Sequence, residues 1–356
     1  MKRNLADICE YAKDKIDVSI LDEDIYISTE NMIPNKGGIT RASSLPNIVQ
    51  TQAFFDGDVL VSNIRPYFKK IWFAEFDGGC SNDVLVFRAK DGVNKRFLYY
   101  VLANDTFFDY SMATSKGTKM PRGDKAAIMK YDVPDFIYEK QEKIAGILDV
   151  LDRKIQFNTE INKNLAEQSQ TIYQQYFITE AGQDWPLGHL SDLVNVKYGK
   201  DHKKLADGIY PVYGSGGIMR YVERPLYEKE SVLIPRKGTL NNVMYVNQPF
   251  WSVDTMFYTE MKQPNVAKFV YHFMKSKDLA SMNAGSAVPS MTTAILNALE
   301  ISIPSAETLK HFEISVAPMY EMMQKNEEQS HKLTKLRDVL LPKLMSGEID
   351  VSTLDL

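Results

Sequence analysis

Leu5-Ala6-Asp7-Ile8, close to the start of the chain, is answered by Leu190-Ser191-Asp192-Leu193 just past its middle, and this pairing decides how the rest is read. Self-similarity at long period marks a repeat architecture, and further matches follow in the same order. Asp58-Val59-Leu60-Val61, leading to Arg65, answers Ser231-Val232-Leu233-Ile234, leading to Arg236. Gly117-Thr118-Lys119-Met120-Pro121 answers Gly285-Ser286-Ala287-Val288-Pro289, and Val133-Pro134 answers Ile303-Pro304. The shared order predicts a twofold repeat.

Each repeat ends in a stretch rich in Glu, Gln, Lys and Leu and apolar at three- and four-residue steps, the pattern of an amphipathic helix. The first runs from about Glu139 to Ile178 and carries Ile144, Ile147, Leu148, Leu151, Ile155, Leu165, Ile172 and Tyr176. The second runs from about Glu307 to Met345 and carries Phe312, Val316, Met319, Met323, Leu333, Leu336, Leu340 and Leu344. Pro318 and Pro342 fall inside it, and because proline removes a helical hydrogen bond a kink or break is expected near them. Two repeats about an approximate twofold axis require antiparallel helices, each apolar stripe burying the other. At 1.5 Å per residue a helix of about 38 residues is roughly 57 Å long, so a dumbbell is expected, with the globular units at opposite ends. The fold class is α+β: two pseudo-twofold-related α+β units separated by two long antiparallel helices in a coiled coil. The expected bounds are 1–138 and 183–304 for the units, 139–182 and 305–347 for the helices, and 348–356 for a tail. A plain two-domain protein with an amphipathic linker is the alternative; a linker would not need to recur after the second domain.

The 356 residues exceed one ordinary domain of roughly 100–200 residues. With 44% hydrophobic and 25% charged residues the composition is that of a soluble globular protein. No apolar run approaches the roughly 20 residues that cross a bilayer, and the start turns charged where a signal peptide needs its apolar stretch. A cytoplasmic protein with no membrane partner is expected. Cys9 and Cys80 are too few for a disulfide framework or a thiolate metal site and are expected to be half-buried. The five histidines lie far apart, so no metal is expected. A net charge of −4 excludes a wholesale polycation, yet a DNA binder needs only a local basic face.

Asn247-Gln248-Pro249-Phe250 is close to the Asn/Asp-Pro-Pro-Tyr/Phe motif with which amino-methyltransferases hold a flipped base. Its second position is Gln, and no Gly-rich cofactor loop after a strand precedes it. Gly214-Ser215-Gly216-Gly217 lacks the Gly-Lys-Ser/Thr ending of a phosphate loop and reads as a flexible turn. No catalytic constellation emerges. The basic residues cluster instead in turn-rich segments: Lys116, Lys119, Arg122 and Lys125 against Asp124, and Lys197, Lys200, His202, Lys203 and Lys204 against Asp201. Such loops can follow a groove, with lysines meeting phosphates and arginines meeting guanine edges. Solvated surface charge is the competing account, and the recurrence of Arg65 and Arg236 at matching places decides for DNA. Chosen by residue type and repeat position, the expected contacts in the first unit are Lys36, Arg41, Asn63, Arg65, Lys69, Lys116, Thr118, Lys119 and Arg122. Those in the second are Lys200, His202, Lys203, Ser215, Arg220, Arg236, Lys237 and Ser286.

Several stretches resemble the specificity subunits of Type I restriction-modification systems. They are residues 26–38 and 117–123 in the first unit, 210–217, 234–238 and 249–251 in the second, and the ending 336–348, which resembles that family's C-terminal conserved helix. The resemblance implies two target-recognition domains, each reading half of a split, asymmetric site on double-stranded DNA, with the helices as spacer and docking surface. It also implies partners: two adenine-N6 methyltransferase subunits and two translocase-endonuclease subunits. S-adenosylmethionine, ATP and Mg2+ are then expected on those partners, with no cofactor in this chain. Because the chain opens almost at once on the first recognition domain, the C-terminal helix is expected to complete the pair in place of a short segment that some relatives carry ahead of it. Two other functions stay open at this point. A stand-alone adenine-N6 methyltransferase would methylate without a partner, and a coiled-coil scaffold would bind DNA without sequence preference or not at all.

Overall fold

The computed structural model describes residues 2–182, 184–282 and 290–352. Contacts divide the chain into two units, Met1–Asn158 with Glu327–Leu356, and Thr159–Asn326, so each long helix contributes to both.

Both units begin alike. Lys2–Asn4 pairs antiparallel with Asp132–Pro134 in the first, and Leu187–His189 with Glu300–Ser302 in the second. A single helical turn follows, Leu5–Ile8 or Leu190–Leu193, whose aspartate accepts the backbone N–H three residues back: Asn4 to Asp7 and His189 to Asp192, both at 2.8 Å. This reciprocal contact is one half of a capping box. The flanking Leu5 and Ile8, or Leu190 and Leu193, are buried, which accounts for the whole four-residue signature.

In the first unit Cys9–Tyr11, Val84–Ala89, Val59–Ser62 and Ile71–Phe73 form a sheet in that order; Val194–Tyr198, Met256–Met261, Ser231–Pro235 and Met244–Val246 form its counterpart. A second sheet joins Lys15–Asp17, Gln50–Phe54, Gly78–Cys80 and Tyr26–Ile27 in the first unit, and Gly217–Val222, Asp207–Gly214 and Trp251–Ser252 in the second. Val59–Ser62 reads as a continuous apolar run because both its faces are covered: Val59 and Val61 pack with Phe87 and Phe97, and Leu60 on the opposite face with Phe54. Val232 and Ile234 against Leu233 repeat this division. Each such fully buried side chain stabilises by about 1.5–3 kcal/mol. Cys9 and Cys80, expected half-buried, are fully enclosed, and burial pushes both thiols up to about 12. Among the described residues no helix is long and apolar enough to cross a membrane.

The strand registers correct two of the repeat matches. Arg3 faces Val133 and Gly188 faces Ile301, so Val133-Pro134 corresponds to Ile301-Ser302, two residues before the expected Ile303-Pro304. What recurs is the buried side chain, Val133 and Ile301, and not the proline. Likewise Ser62 faces Val84 and Pro235 faces Met256, which makes Asn63 the counterpart of Arg236 and Arg65 the counterpart of Gly238. Arg65 and Arg236 are therefore not equivalent. Arg65 lies seven positions after Asp58 but Arg236 only five after Ser231, and a match of residue type across that difference misses the register.

The long helices are Tyr138–Gln174, closed by a π-helical turn Gln175–Thr179, and Ala306–Ser346. Pro318 and Pro342 do not break the second. Proline inside a helix costs about 3 kcal/mol, and here Phe312, Val316 and Tyr320 around one, Leu341 and Leu344 beside the other, are buried and hold the segment helical. In the first unit Asp152 accepts from Arg337 at 2.8 Å, and Asn158 donates to Gln329 at 2.9 Å and Ser330 at 3.1 Å. In the second, Asn326 donates to Asn162 at 2.8 Å, and Asn162 donates to the Met323 carbonyl at 2.9 Å. Partner numbers fall as helix-one numbers rise, in the second unit from Asn162 with Asn326 to Tyr176 with Ser315 at 3.4 Å, so the helices run antiparallel in both units. The seam is not the continuous apolar stripe expected: Asn158 and Ser169 are buried on it, while Leu336 faces solvent. Polar residues on such a seam lower stability but fix register, because any slip leaves them without partners.

A cation ties each sheet to its helix. Arg96 lies 3.9 Å from the Phe73 ring and 3.4 Å from Asp149; Lys268, at the equivalent place, lies 5.1 Å from the Tyr245 ring and 2.5 Å from Glu313.

Candidate nucleic-acid interface

Where the central strand of the first unit ends, the Asn63 N–H donates to the Asp83 carbonyl at 2.8 Å, and the Asn63 carbonyl accepts from Gly123 at 3.2 Å. The Arg65 N–H donates to Pro121 at 2.8 Å, and Ile64 and Lys116 both bridge to Arg122. The loop 117–121 is thereby held over the strand end, with Thr118 and Lys119 exposed at its tip. Gly117 turns it at φ 93, a left-handed conformation that glycine adopts without penalty. Arg122 pairs with Asp83 at 3.0 Å and Lys116 with Asp124 at 2.5 Å; the lysine's hydrogen bond holds the Asp124 carboxyl below its usual range.

A third loop joins this cluster. The Asn35 and Lys36 N–H groups donate to Phe68 and Lys69 carbonyls at 2.8 and 2.9 Å. The ammonium groups of Lys36 and Lys69 both reach Asp105, at 2.8 and 2.9 Å. Burial pushes the Asp105 carboxyl up, but the two lysine hydrogen bonds outweigh it and hold the group below the ordinary carboxylate range. Of the five non-glycine residues with positive φ among the described residues, Asn35, Lys36, Arg65 and Lys69 all lie here. Each left-handed residue costs roughly 1–2 kcal/mol, so strain is concentrated at this one place. The buried Asn63 Oδ1 and Arg65 Nε have no hydrogen-bond partner among the described residues. Arg41 sits apart from these contacts, paired with Glu23 at 3.1 Å and Asp24 at 3.3 Å.

The second unit repeats the frame with different side chains. The Arg236 N–H donates to the Thr255 carbonyl at 2.8 Å, the Arg236 carbonyl accepts from Met291 at 2.9 Å, and Lys237 bridges to Ser290. The Arg236 guanidinium lies 5.4 Å from the Tyr198 ring and 3.4 Å from the Asp254 carbonyl. Asn242 donates to the Ser215 carbonyl at 2.8 Å, and a Cβ at Gly238 (φ 85) would stand 2.7 Å from Ser215 Oγ, so the hairpin turn 214–217 closes against the strand end. Lys200 is fixed by its backbone, donating to Ser252 at 2.8 Å and accepting from Trp251 Nε1 at 2.8 Å. Lys203 is exposed; His202 Nδ1 is buried with no hydrogen-bond partner among the described residues. Arg220 is held by the Leu205 carbonyl at 2.9 Å and Asp207 at 2.8 Å. Ser286 lies outside the described residues.

The enzyme-like motifs resolve differently. Phe250, which would have to face a flipped base, is fully buried, edge-on to Tyr227 at 6.0 Å and Tyr258 at 6.1 Å. Gly214 and Gly217 pair across a hairpin, not at a strand-to-helix turn that could cradle phosphate. Sequence reading passed over Tyr67 and Phe68, both exposed between Arg65 and Lys69, although aromatic rings inside a basic run are a visible signal. It also passed over Asp105, whose role exists only in three dimensions.

The equivalence of Arg65 with Gly238 carries an expectation. Arg65→Gly should be more stable than Arg65→Ala by about 1 kcal/mol, since glycine removes the left-handed strain that alanine keeps. Urea midpoints of the two variants measure it; equal midpoints would mean the strain is relieved elsewhere.

The chain matches the family described as the Type I restriction modification DNA specificity domain over residues 1–167 and 182–338. It belongs to that family, whose named relatives are specificity subunits, the component that confers DNA sequence specificity. The MjaIX specificity subunit of Methanocaldococcus jannaschii is 24% identical over 309 residues, covering 74% of this chain and 71% of the relative. The HindI specificity subunit of Haemophilus influenzae is 22% identical over 467 aligned positions, covering 97% of this chain and 98% of the relative. The solved Type I restriction-modification S subunit from M. genitalium has the same fold, with a TM-score of 0.61 at 19% identity over 99% of this chain and 96% of that one.

Proposed function

We propose that each unit reads one half of a bipartite, asymmetric site on double-stranded DNA, and that the chain itself is non-catalytic. The observation that carries this reading is the repeated frame at the strand ends, where Asn63 and Arg236 are clamped by the same pair of backbone hydrogen bonds. Two such surfaces on one chain, differing in side chains, suit a split site whose halves differ in sequence. The helix pair sets the gap and docks two methyltransferase and two translocase-endonuclease subunits; S-adenosylmethionine, ATP and Mg2+ bind on those partners, in the cytoplasm. We assign Arg65, Arg236 and Lys237 to base edges, and Lys116, Thr118, Lys119, Arg122, Lys200, His202, Lys203, Ser215 and Ser286 to further contacts with the duplex. Lys36, Lys69 and Arg220 contribute through the ion pairs that shape the surrounding loops, and Arg41, which lies apart from them, contributes a phosphate contact.

Co-expression with the methyltransferase subunit, followed by modified-base sequencing of the host DNA, tests this reading. Methylation at two constant half-sites with a fixed gap is expected, and none with this chain alone. Methylation by the purified chain without a partner would overturn it. Lys119→Ala and Lys203→Ala should each weaken binding to all sequences alike and reduce the slope of log K against log salt by about 0.9, as lost phosphate contacts do. A sequence-dependent loss from either would remove the phosphate assignment.

A further inference from the structure

We infer that the turn Pro66–Phe68 of the first unit is a preformed apolar contact with duplex DNA, laid against sugars and base edges of the half-site that this unit reads; the inference rests on the function proposed above. Tyr67 is 48% and Phe68 37% exposed, and their ring centroids are 4.7 Å apart. A fold gains nothing from leaving two adjacent rings in water, yet this turn is fixed from every side. Left-handed Arg65 and Lys69 bracket it, the Phe68 and Lys69 carbonyls are bonded by the loop at Asn35 and Lys36, and Asp105 anchors both lysines. Rings held this way lose little freedom when a partner arrives, which favours binding.

The surroundings select the partner. Arg65 precedes the rings, its backbone bonded to the loop that carries Lys119 and Arg122, so the aromatic surface sits within a basic one. Apolar and aromatic side chains amid cations suit a nucleic-acid groove, where charge meets phosphate and rings meet sugar and base. Among the described residues, the second unit has no counterpart of this turn at the equivalent place. After Gly238 the chain reads Thr239-Leu240-Asn241-Asn242, with Leu240 buried, Asn241 bonded to Asp278 at 3.0 Å and Asn242 turned to Ser215. The two half-sites thus meet different surfaces: after its strand end the first unit presents the Tyr67–Phe68 turn, whereas at the equivalent place the second carries Leu240, Asn241 and Asn242 and exposes a ring instead at Tyr198, beside Arg236.

The test uses the full chain assembled with its methyltransferase subunit and three duplexes: the intact site, one with the first half-site scrambled, and one with both scrambled. The double variant Tyr67→Ser with Phe68→Ser should bind the intact site about 10- to 100-fold more weakly, in the range of lost base–aromatic contacts. The slope against salt should stay unchanged because no charge is removed. On the duplex with the first half-site scrambled, variant and wild type should bind alike. Tyr67→Ser alone should give a smaller loss of the same kind, and both variants should melt as wild type does, since the rings are exposed. Variant binding to the intact site within twofold of wild type would overturn the inference, as would failure of the variant to co-purify with the methyltransferase subunit, which would make the turn a protein contact. Wild-type complex that binds all three duplexes equally would instead remove the proposed function, and this inference with it.

Discussion

Inserting four residues into both long helices is expected to give a complex that methylates the same two half-sites across a gap about one to two base pairs longer. Four residues add roughly 6 Å to a helix, and DNA advances about 3.4 Å per pair. The seam dictates where they go. Asn158 with Gln329 and Ser330, and Asn162 with Asn326, are successive polar pairs, so insertion after Glu160 and after Glu327 leaves each pair intact. Four residues turn the helix about 40° past a full revolution and keep its inner face inward, whereas two would turn it out of contact. Lengthening one helix alone would slide Asn158 and Asn162 off their partners, at about 1–3 kcal/mol for each buried polar group left unmet, and should give little folded protein. Modified-base sequencing reads the outcome. Altered half-site bases with an unchanged gap would mean the helices are not the spacer.

How much of this was legible depended on whether a feature was local. The helical turn with its capping aspartate was readable twice, at Leu5–Ile8 and Leu190–Leu193, because the apolar spacing and the Asp7 or Asp192 cap lie within four residues. The long helices were readable for the same reason. Register was not. Which residue of one repeat corresponds to which in the other is fixed by strand pairing, and matching Arg65 to Arg236 or Pro134 to Pro304 by type missed each by two positions. The polar seam was hidden because Asn158, Asn162 and Asn326 look like surface residues until a second helix is laid on them. The site was readable as composition, a basic and turn-rich set of loops, but not as geometry. Lys36 and Lys69 are ordinary lysines in sequence, and only the fold brings both onto Asp105.

Arg236→Ala is expected to weaken binding to the intact site by about 1–3 kcal/mol, roughly 5- to 150-fold, and to relax the sequence requirement at one position of the second half-site only. The backbone at Arg236 is fixed by its hydrogen bonds with Thr255 and Met291, and the guanidinium is steadied by the Tyr198 ring and the Asp254 carbonyl. Such a side chain is oriented before DNA arrives, which a specific contact needs and a phosphate contact does not. Arg236→Lys should restore little, because an ammonium cannot reproduce the planar fork that grips a guanine edge through two hydrogen bonds. It should nevertheless keep the salt dependence of wild type, since the charge remains. Arg65→Ala should produce the complementary result in the first half-site, independently, because Arg65 and Arg236 belong to different units. The comparison is made by sequencing methylated sites from cells carrying each variant with the methyltransferase subunit. Equal weakening of both half-sites by Arg236→Ala, or full rescue by Arg236→Lys, would show that this arginine meets the backbone of the duplex and reads no base.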